Sequence, residues 1–269
     1  MRRIAGGVAA VLLMVGGLSA QNFTTGPCNH DQDNGGWSGG RARVCEMRRT
    51  TLPLTNGGVD VKGTNGGIEV IGEDRNDIAL EARVTAQASS HDEAEALLHK
   101  VTIATNGRIE ASGPTTSGWF NSTNWSVSYK LRVPRRLSAR LETMNGGIEV
   151  SNVEGKIDAN TMNGGVTLAH LAGDVHARTV NGGLDVTLDG AQWRGAGLVA
   201  KSTNGAVSVK APDHYSAHLV AETVNGGISV GFPISVQGSI RKHLDTNIGN
   251  GGPTLDFETV NGGVSVERD

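Results

Sequence analysis

Thr143-Met144-Asn145-Gly146-Gly147-Ile148-Glu149-Val150, Thr161-Met162-Asn163-Gly164-Gly165-Val166-Thr167-Leu168 and Thr179-Val180-Asn181-Gly182-Gly183-Leu184-Asp185-Val186 repeat one pattern at a constant spacing of eighteen residues. The same Asn-Gly pair recurs at Asn56, Asn65, Asn106, Asn204, Asn225 and Asn261. It is Asn-Gly-Gly everywhere except Asn106, followed by Gly-Arg, and Asn204, followed by Gly-Ala. An apolar–polar–apolar triplet follows the turns, as in Val59-Asp60-Val61 and Ile68-Glu69-Val70. Later spacings of 23, 21 and 36 residues imply loops inserted between units. Self-similarity of this kind decides the architecture before any motif is weighed.

Asn-Gly is the pair that accepts positive φ at both central residues, so each copy reads as a tight turn between strands. The segments before the turns alternate. Ile157, Ala159 and Thr161 point one way and Asp158 and Asn160 the other. That register returns in Val175-Ala177-Thr179, Leu198-Ala200-Ser202, Leu219-Ala221-Thr223 and Leu255-Phe257-Thr259, each taken at alternate positions. Period two means half-buried strands. Two short strands per unit with identical corners describe an all-β solenoid, a coil whose turns stack about 4.8 Å apart. The corner asparagines Asn56, Asn65, Asn145, Asn163, Asn181, Asn204, Asn225 and Asn261 are expected to bond one another as a ladder. A narrow coil takes small and β-branched residues inside, which fits a 269-residue chain with 39 Gly, four Trp, four Phe and two Tyr. A sandwich or barrel of successive hairpins is the rival fold, and the constant period favours the solenoid.

The flanks carry other information. Met1-Arg2-Arg3, an apolar run from Ile4 to Leu18 and the small pair Ser19-Ala20 form the layout of a secretory signal peptide, residues 1–20. The run is too short and too rich in glycine for a membrane span. The mature chain is therefore expected in the periplasm or outside the cell, with no membrane-spanning segment. Cys28 and Cys45 are an even pair in an oxidising compartment and read as a disulfide holding an irregular segment, 21–50, onto a solenoid domain of 51–269. A metal pair with His30 and Asp31 is the weaker alternative, since no second pair stands at zinc spacing. Ser90-His91-Asp92-Glu93 looks like a capping box opening one short helix, about 90–100, with Ala94, Leu97 and Leu98 on its apolar face. Lys plus Arg total 24 against 27 Asp plus Glu, a net charge of −3, which argues against nucleic acid as a partner.

From Arg43 to Asp269 the chain resembles the bacterial "putative adhesin" family, exported domains of unknown function built from Asn-Gly repeats. The residues carrying the likeness are Cys45-Glu46-Met47-Arg48, Glu93-Ala94-Glu95, Leu131-Arg132-Val133-Pro134 and the series from Thr143-Met144-Asn145-Gly146-Gly147-Ile148 onward. Ile248-Gly249-Asn250-Gly251-Gly252 and Thr259-Val260-Asn261-Gly262-Gly263-Val264 close it. The resemblance implies an exported β-solenoid with no established enzymatic activity.

Motifs for chemistry fail on context. Gly36-Trp37-Ser38-Gly39-Gly40 matches a nucleophile elbow, yet no apolar strand precedes it and no helix follows. Gly195-Ala196-Gly197-Leu198-Val199-Ala200 matches a loose dinucleotide fingerprint with a strand where the helix belongs. Asp31-Gln32-Asp33-Asn34-Gly35 starts like a calcium loop, but Ala42 stands where its glutamate should be. His214 and His218 are read on one strand face, with His176 facing outward a few units away. No metal, cofactor or catalytic set is expected. Two features point to binding. The middle residues of the triplets, Glu149, Thr167, Asp185, Ser208, Ser229 and Ser265, would stack into an outward stripe. Trp119, Phe120, Trp125 and Tyr129 cluster within eleven residues, and exposed rings stack on sugars or partner proteins. The expected function is a non-enzymatic adhesin or envelope scaffold binding a cell-surface protein or glycan. The rivals are a polysaccharide-active enzyme with carboxylates assembled across rungs and a periplasmic envelope-stress accessory protein.

Overall fold

The computed structural model describes residues 23–28, 41–54, 57–115, 123–234 and 242–269. Among the described residues two sheets, of eleven and ten strands, face each other across one apolar core. Their central parts are a β-solenoid. Each rung runs along a long strand of one sheet, turns at an Asn-Gly corner and returns along a short strand of the other. Ser138–Asn145 with Ile148–Ser151, Glu154–Asn163 with Val166–Ala169, and Ala172–Asn181 with Leu184–Thr187 are three successive rungs. Equivalent strands pair in parallel and in strict register, so Ile157 lies beside Val175 and Ile148 beside Val166. The alternation seen in the sequence is the cause. Ile157, Ala159 and Thr161 are buried, as are their equivalents in the other rungs, and the residues between them face out.

The corner is held from inside and outside. Inside, the Thr161 hydroxyl donates to the Gly146 carbonyl (2.8 Å), Thr179 to Gly164 (2.8 Å) and Ser202 to Gly182 (2.9 Å). A buried hydroxyl would be costly unpaired, and this bond offsets that cost. Outside, the asparagine ladder forms as expected. Asn145 donates its amide to Asn65 (2.8 Å), Asn163 to Asn145 (2.9 Å), Asn181 to Asn163 (2.8 Å) and Asn204 to Asn181 (2.9 Å). Asn56 lies outside the described residues.

The reason for glycine differs from the turn argument. Neither the described ladder asparagines nor Gly146, Gly164, Gly182, Gly205, Gly226 and Gly262 have a left-handed φ; among the glycines that follow a described ladder asparagine only Gly66 does, at 126°. These residues are glycine because rungs approach so closely. A Cβ on Gly164 would fall well inside 3.0 Å of the Gly146 carbonyl oxygen, and the other first glycines meet the same obstacle in their own neighbours. The second glycines are roomier. A Cβ would sit 3.3 Å from the nearest atom at Gly147 and Gly165 and 3.4 Å at Gly183, where the neighbouring rung carries Ala206. True left-handed non-glycine residues occur at the opposite corner, at Asn152 (φ 59°) and His170 (φ 55°).

The order of rungs departs from the order of the chain. Thr254–Asn261 pairs with Gly197–Asn204 on one side and Ala217–Asn225 on the other, so the last rung in sequence is inserted before the penultimate one. The ladder follows: Asn225 donates to Asn261 (2.9 Å) and Asn261 to Asn204 (2.7 Å). The 36-residue spacing is therefore not a simple loop. Its chain passes through His243–Ile248, antiparallel to Ala217–Asn225, which ends the parallel stacking on that sheet. Lys242 places its ammonium on the Gly226 carbonyl (2.7 Å), where another rung would present a hydroxyl, and a lysine at such an edge discourages further pairing. Two Asn-Gly copies are out of phase with the rest. Val59-Asp60-Val61, after Asn56, lies in the long-strand sheet beside Ala139-Arg140-Leu141. Asn106-Gly107 is a hairpin tip between Thr102–Ala104 and Ile109–Ser112.

The far end of the eleven-stranded sheet is antiparallel, built from Thr24–Pro27, Ala42–Pro53, Asp77–Ala88 and Asn124–Pro134. The segment 21–50, expected to be irregular, is thus partly strand, because Ala42–Pro53 pairs along its whole length with Asp77–Ala88. Cys28 and Cys45 form the expected disulfide (Cα–Cα 5.9 Å), a link that contributes on the order of 3 kcal/mol in the chain-entropy model. The helix is His91–Leu98, with the Ser90 side chain accepting from the Glu93 N–H and with Ala94, Leu97 and Leu98 buried. It lies over Ala42–Pro53 and Asp77–Ala88, and Arg48 donates to the carbonyls of Leu98 (3.0 Å) and Val101.

Rung contact and turn geometry make opposite predictions for neighbouring glycines. Gly164→Ala should destabilise the protein by about 3 kcal/mol through overpacking. Gly165→Ala should stay within about 1 kcal/mol, since an alanine, Ala206, stands at the equivalent position of another rung. Denaturant unfolding of the two variants measures the difference.

Candidate functional site

The outer face of the short-strand sheet has free chemistry. Registers bring Glu69, Glu149, Thr167, Asp185, Ser208, Ser265 and Ser229 onto consecutive strands in that order. The stripe read from the sequence is therefore real, with Ser265 ahead of Ser229 because of the inserted rung. Beside it runs a row almost without side chains, Gly67, Gly147, Gly165, Gly183 and Ala206, each bonded through its backbone to the next rung. Where this row meets the antiparallel end it opens into a groove of about 570 Å³, lined by Met47, Glu69, Glu81, Arg83, Lys130, Glu149 and Thr167 among others.

Charge in the groove is unevenly compensated. Lys130 binds Glu69 (2.7 Å), and Glu81 accepts from Arg132 (3.0 Å) and Arg49 (3.2 Å). Glu149 stands directly beside Glu69, and like charges so placed are destabilising. Glu149 and Asp185 are exposed and make no side-chain hydrogen bond or ion pair among the described residues. Unpaired acceptors on a rigid sheet are available to a ligand. Across the corner, Met144, Met162, Val180 and Val224 are 42–56% exposed, an apolar ridge parallel to the asparagine ladder. Apolar residues so aligned on a surface are characteristic of contact sites.

The outer face of the long-strand sheet is mostly self-satisfied. Arg108 pairs with Asp60 (3.0 Å), Arg140 with Glu142 (2.7 Å) and Lys201 with Asp256 and Glu258. His176 lies 3.5 Å from Asp174 and 3.8 Å from Asp158, and His218 binds Asp245 (2.8 Å). His214 is not on the strand with His218; it lies in the turn before Ala217–Asn225. Among the described residues no group of three His, Cys, Asp or Glu is placed to hold a metal ion. Gly197 opens the strand Gly197–Asn204, with no helix behind the fingerprint-like glycines.

Of the aromatic cluster, only Trp125 and Tyr129 fall among the described residues. Tyr129 is 2% exposed and faces the core, since it falls on the inward register of Asn124–Pro134. Trp125 is half-buried and its indole donates to the Pro114 carbonyl (2.9 Å). Trp119 and Phe120 lie outside the described residues, as do Gly36–Gly40 and Asp31–Gly35. The groove was missed because its carboxylates and cations come from strands distant in sequence. Only the Glu149–Asp185 stripe, one residue per repeat, carried a sequence signal.

The class defined by this architecture is a two-sheet parallel β-solenoid with a decorated outer face. Residues 135–267 match the model of the Toastrack DUF4097 family. Among curated proteins none matches the chain. Solved structures resemble it at low identity. A putative cell adhesion protein from Clostridium sporogenes is 12% identical, with 83% of this chain and 100% of that one covered and a TM-score of 0.44. A putative adhesin from Bacteroides fragilis is 11% identical over 83% and 97%, TM-score 0.35. A putative lipid binding protein from Parabacteroides distasonis is 13% identical over 81% and 96%, TM-score 0.33.

Both tyrosines of the chain are buried, and burial pushes both phenols well above their ordinary value of 10.0. A phenol kept neutral in the fold contributes stability that is intact below pH 10 and is lost as pH rises above it. Alkaline titration should therefore show no tyrosinate absorbance near pH 10 in the native protein. It should appear in one step, together with unfolding.

Proposed function

We propose that the protein is an exported, non-enzymatic adhesin-type scaffold that holds a glycan on the outer face of its short-strand sheet. The observation that carries this reading is the row of unpaired Glu149 and Asp185 with Thr167, Ser208, Ser265 and Ser229, set beside backbone left bare by glycine. Carboxylates and hydroxyls at strand spacing suit the hydroxyls of a sugar chain, and the bare row lets a ring approach the backbone. Residues 1–20 act as the export signal, 51–269 as the solenoid domain, and the mature protein works in the periplasm or outside the cell. No helix among the described residues is long and apolar enough to cross a membrane.

An enzyme acting on polysaccharide would need two carboxylates flanking the scissile bond. Glu69 and Glu81 are instead engaged by Lys130, Arg132 and Arg49, and Glu149 sits beside Glu69 on the same sheet face rather than across a cleft. Trp119, Phe120 and Trp125 are proposed as a secondary contact.

Binding of the purified mature protein to an array of bacterial and host glycans tests the reading. Saturable binding should fall about tenfold in the double variant Glu149→Ala, Asp185→Ala, a loss of about 1.4 kcal/mol. Lys156→Ala, on the opposite sheet, should leave it unchanged. Absence of saturable binding to any glycan, or equal loss in both variants, contradicts the proposal.

A further inference from the structure

Asparagine followed by glycine is the dipeptide most prone to spontaneous cyclisation. The glycine nitrogen attacks the asparagine Cγ, forming a C–N bond and expelling ammonia, and water then opens the succinimide to aspartate or isoaspartate. The step needs a side-chain amide free to swing over the backbone and a glycine N–H free to lose its proton. A chain with this many Asn-Gly pairs, expected outside the cytoplasm, is exposed to it wherever the fold does not intervene.

Among the described residues the fold ties both groups at six of them. In the ladder, the side chains of Asn65, Asn145, Asn163, Asn181, Asn204 and Asn261 are bonded to one another. The following glycine N–H groups are occupied as well. Gly66 donates to the Asn145 carbonyl (2.8 Å), Gly146 to Asn163 (2.9 Å), Gly164 to Asn181 (2.9 Å) and Gly182 to Asn204 (3.0 Å). Gly205 donates to Asn261 (3.0 Å) and Gly262 to Asn225 (3.1 Å). Two other pairs keep one tie each: Asn225 donates its amide to Asn261 (2.9 Å), and the Gly251 N–H donates to Ile248 (3.1 Å).

Asn106-Gly107 keeps neither. It forms the exposed tip of the hairpin between Thr102–Ala104 and Ile109–Ser112. Among the described residues the Asn106 side chain makes no hydrogen bond. Gly107 has a φ of 84°, and no atom lies within 4 Å of where its Cβ would be, so nothing crowds the ring that must form. We infer that Asn106 is a site of succinimide-mediated modification, while the ladder asparagines are shielded by the same bonds that build the corner. Conversion there would place a new carboxyl group two residues from Arg108, which now binds Asp60 (3.0 Å).

The test is peptide mapping by mass spectrometry of the native mature protein aged in mildly alkaline buffer, with an isoaspartate-specific methylation assay. A ladder site must open locally before it can react, so the peptide carrying Asn106 should convert about tenfold faster or more than those carrying Asn145, Asn163 and Asn181. In denaturant all of them should convert at similar rates. The inference is overturned if ladder and hairpin asparagines convert alike in the native protein. It is equally overturned if Asn106 stays intact there while converting in denaturant.

Discussion

The close approach of one rung to the next at the first corner glycine is the constraint on which the structure depends. At Gly164 the backbone leaves no space for a Cβ against the Gly146 carbonyl, and Gly146, Gly182, Gly205 and Gly262 repeat the condition. That approach lets the Thr161 hydroxyl reach the Gly146 carbonyl from inside and the Asn163 amide reach Asn145 from outside. Rung spacing, strand register and the polar ladders are consequences of one contact repeated.

The interior was readable because it is periodic. Alternation identified Ile157, Ala159 and Thr161 as inward, and the fixed spacing identified the coil. The role of the corner glycine was misread because turn propensity and rung crowding select the same residue, and only φ separates them. Rung order was unreadable for a related reason. A unit ending Thr-Val-Asn-Gly-Gly fits any slot in the stack, so Thr254–Asn261 can enter between Gly197–Asn204 and Ala217–Asn225 without a local signal. Tyr129 shows the limit of composition: clustering suggested a surface patch, while strand parity places its ring in the core.

A solenoid constrained this tightly inside leaves its outer positions open to variation. The long-strand sheet uses them for neutralising pairs such as Arg108 with Asp60. The short-strand sheet leaves Glu149 and Asp185 unpaired and carries glycine at Gly147 and Gly165, in the row where a neighbouring rung has Ala206. Unpaired carboxylates beside backbone left bare by glycine make this face the place to look for a ligand.

Hydrogen–deuterium exchange at the corner glycine amides, resolved by NMR, tests the central claim most directly. If rung contact organises the fold, the N–H groups of Gly146, Gly164, Gly182 and Gly205 exchange as slowly as core strand amides such as that of Ala159, despite lying at turns. Exchange at the rate of an unstructured peptide would mean that the corners are ordinary surface turns and that the sheets alone hold the solenoid together.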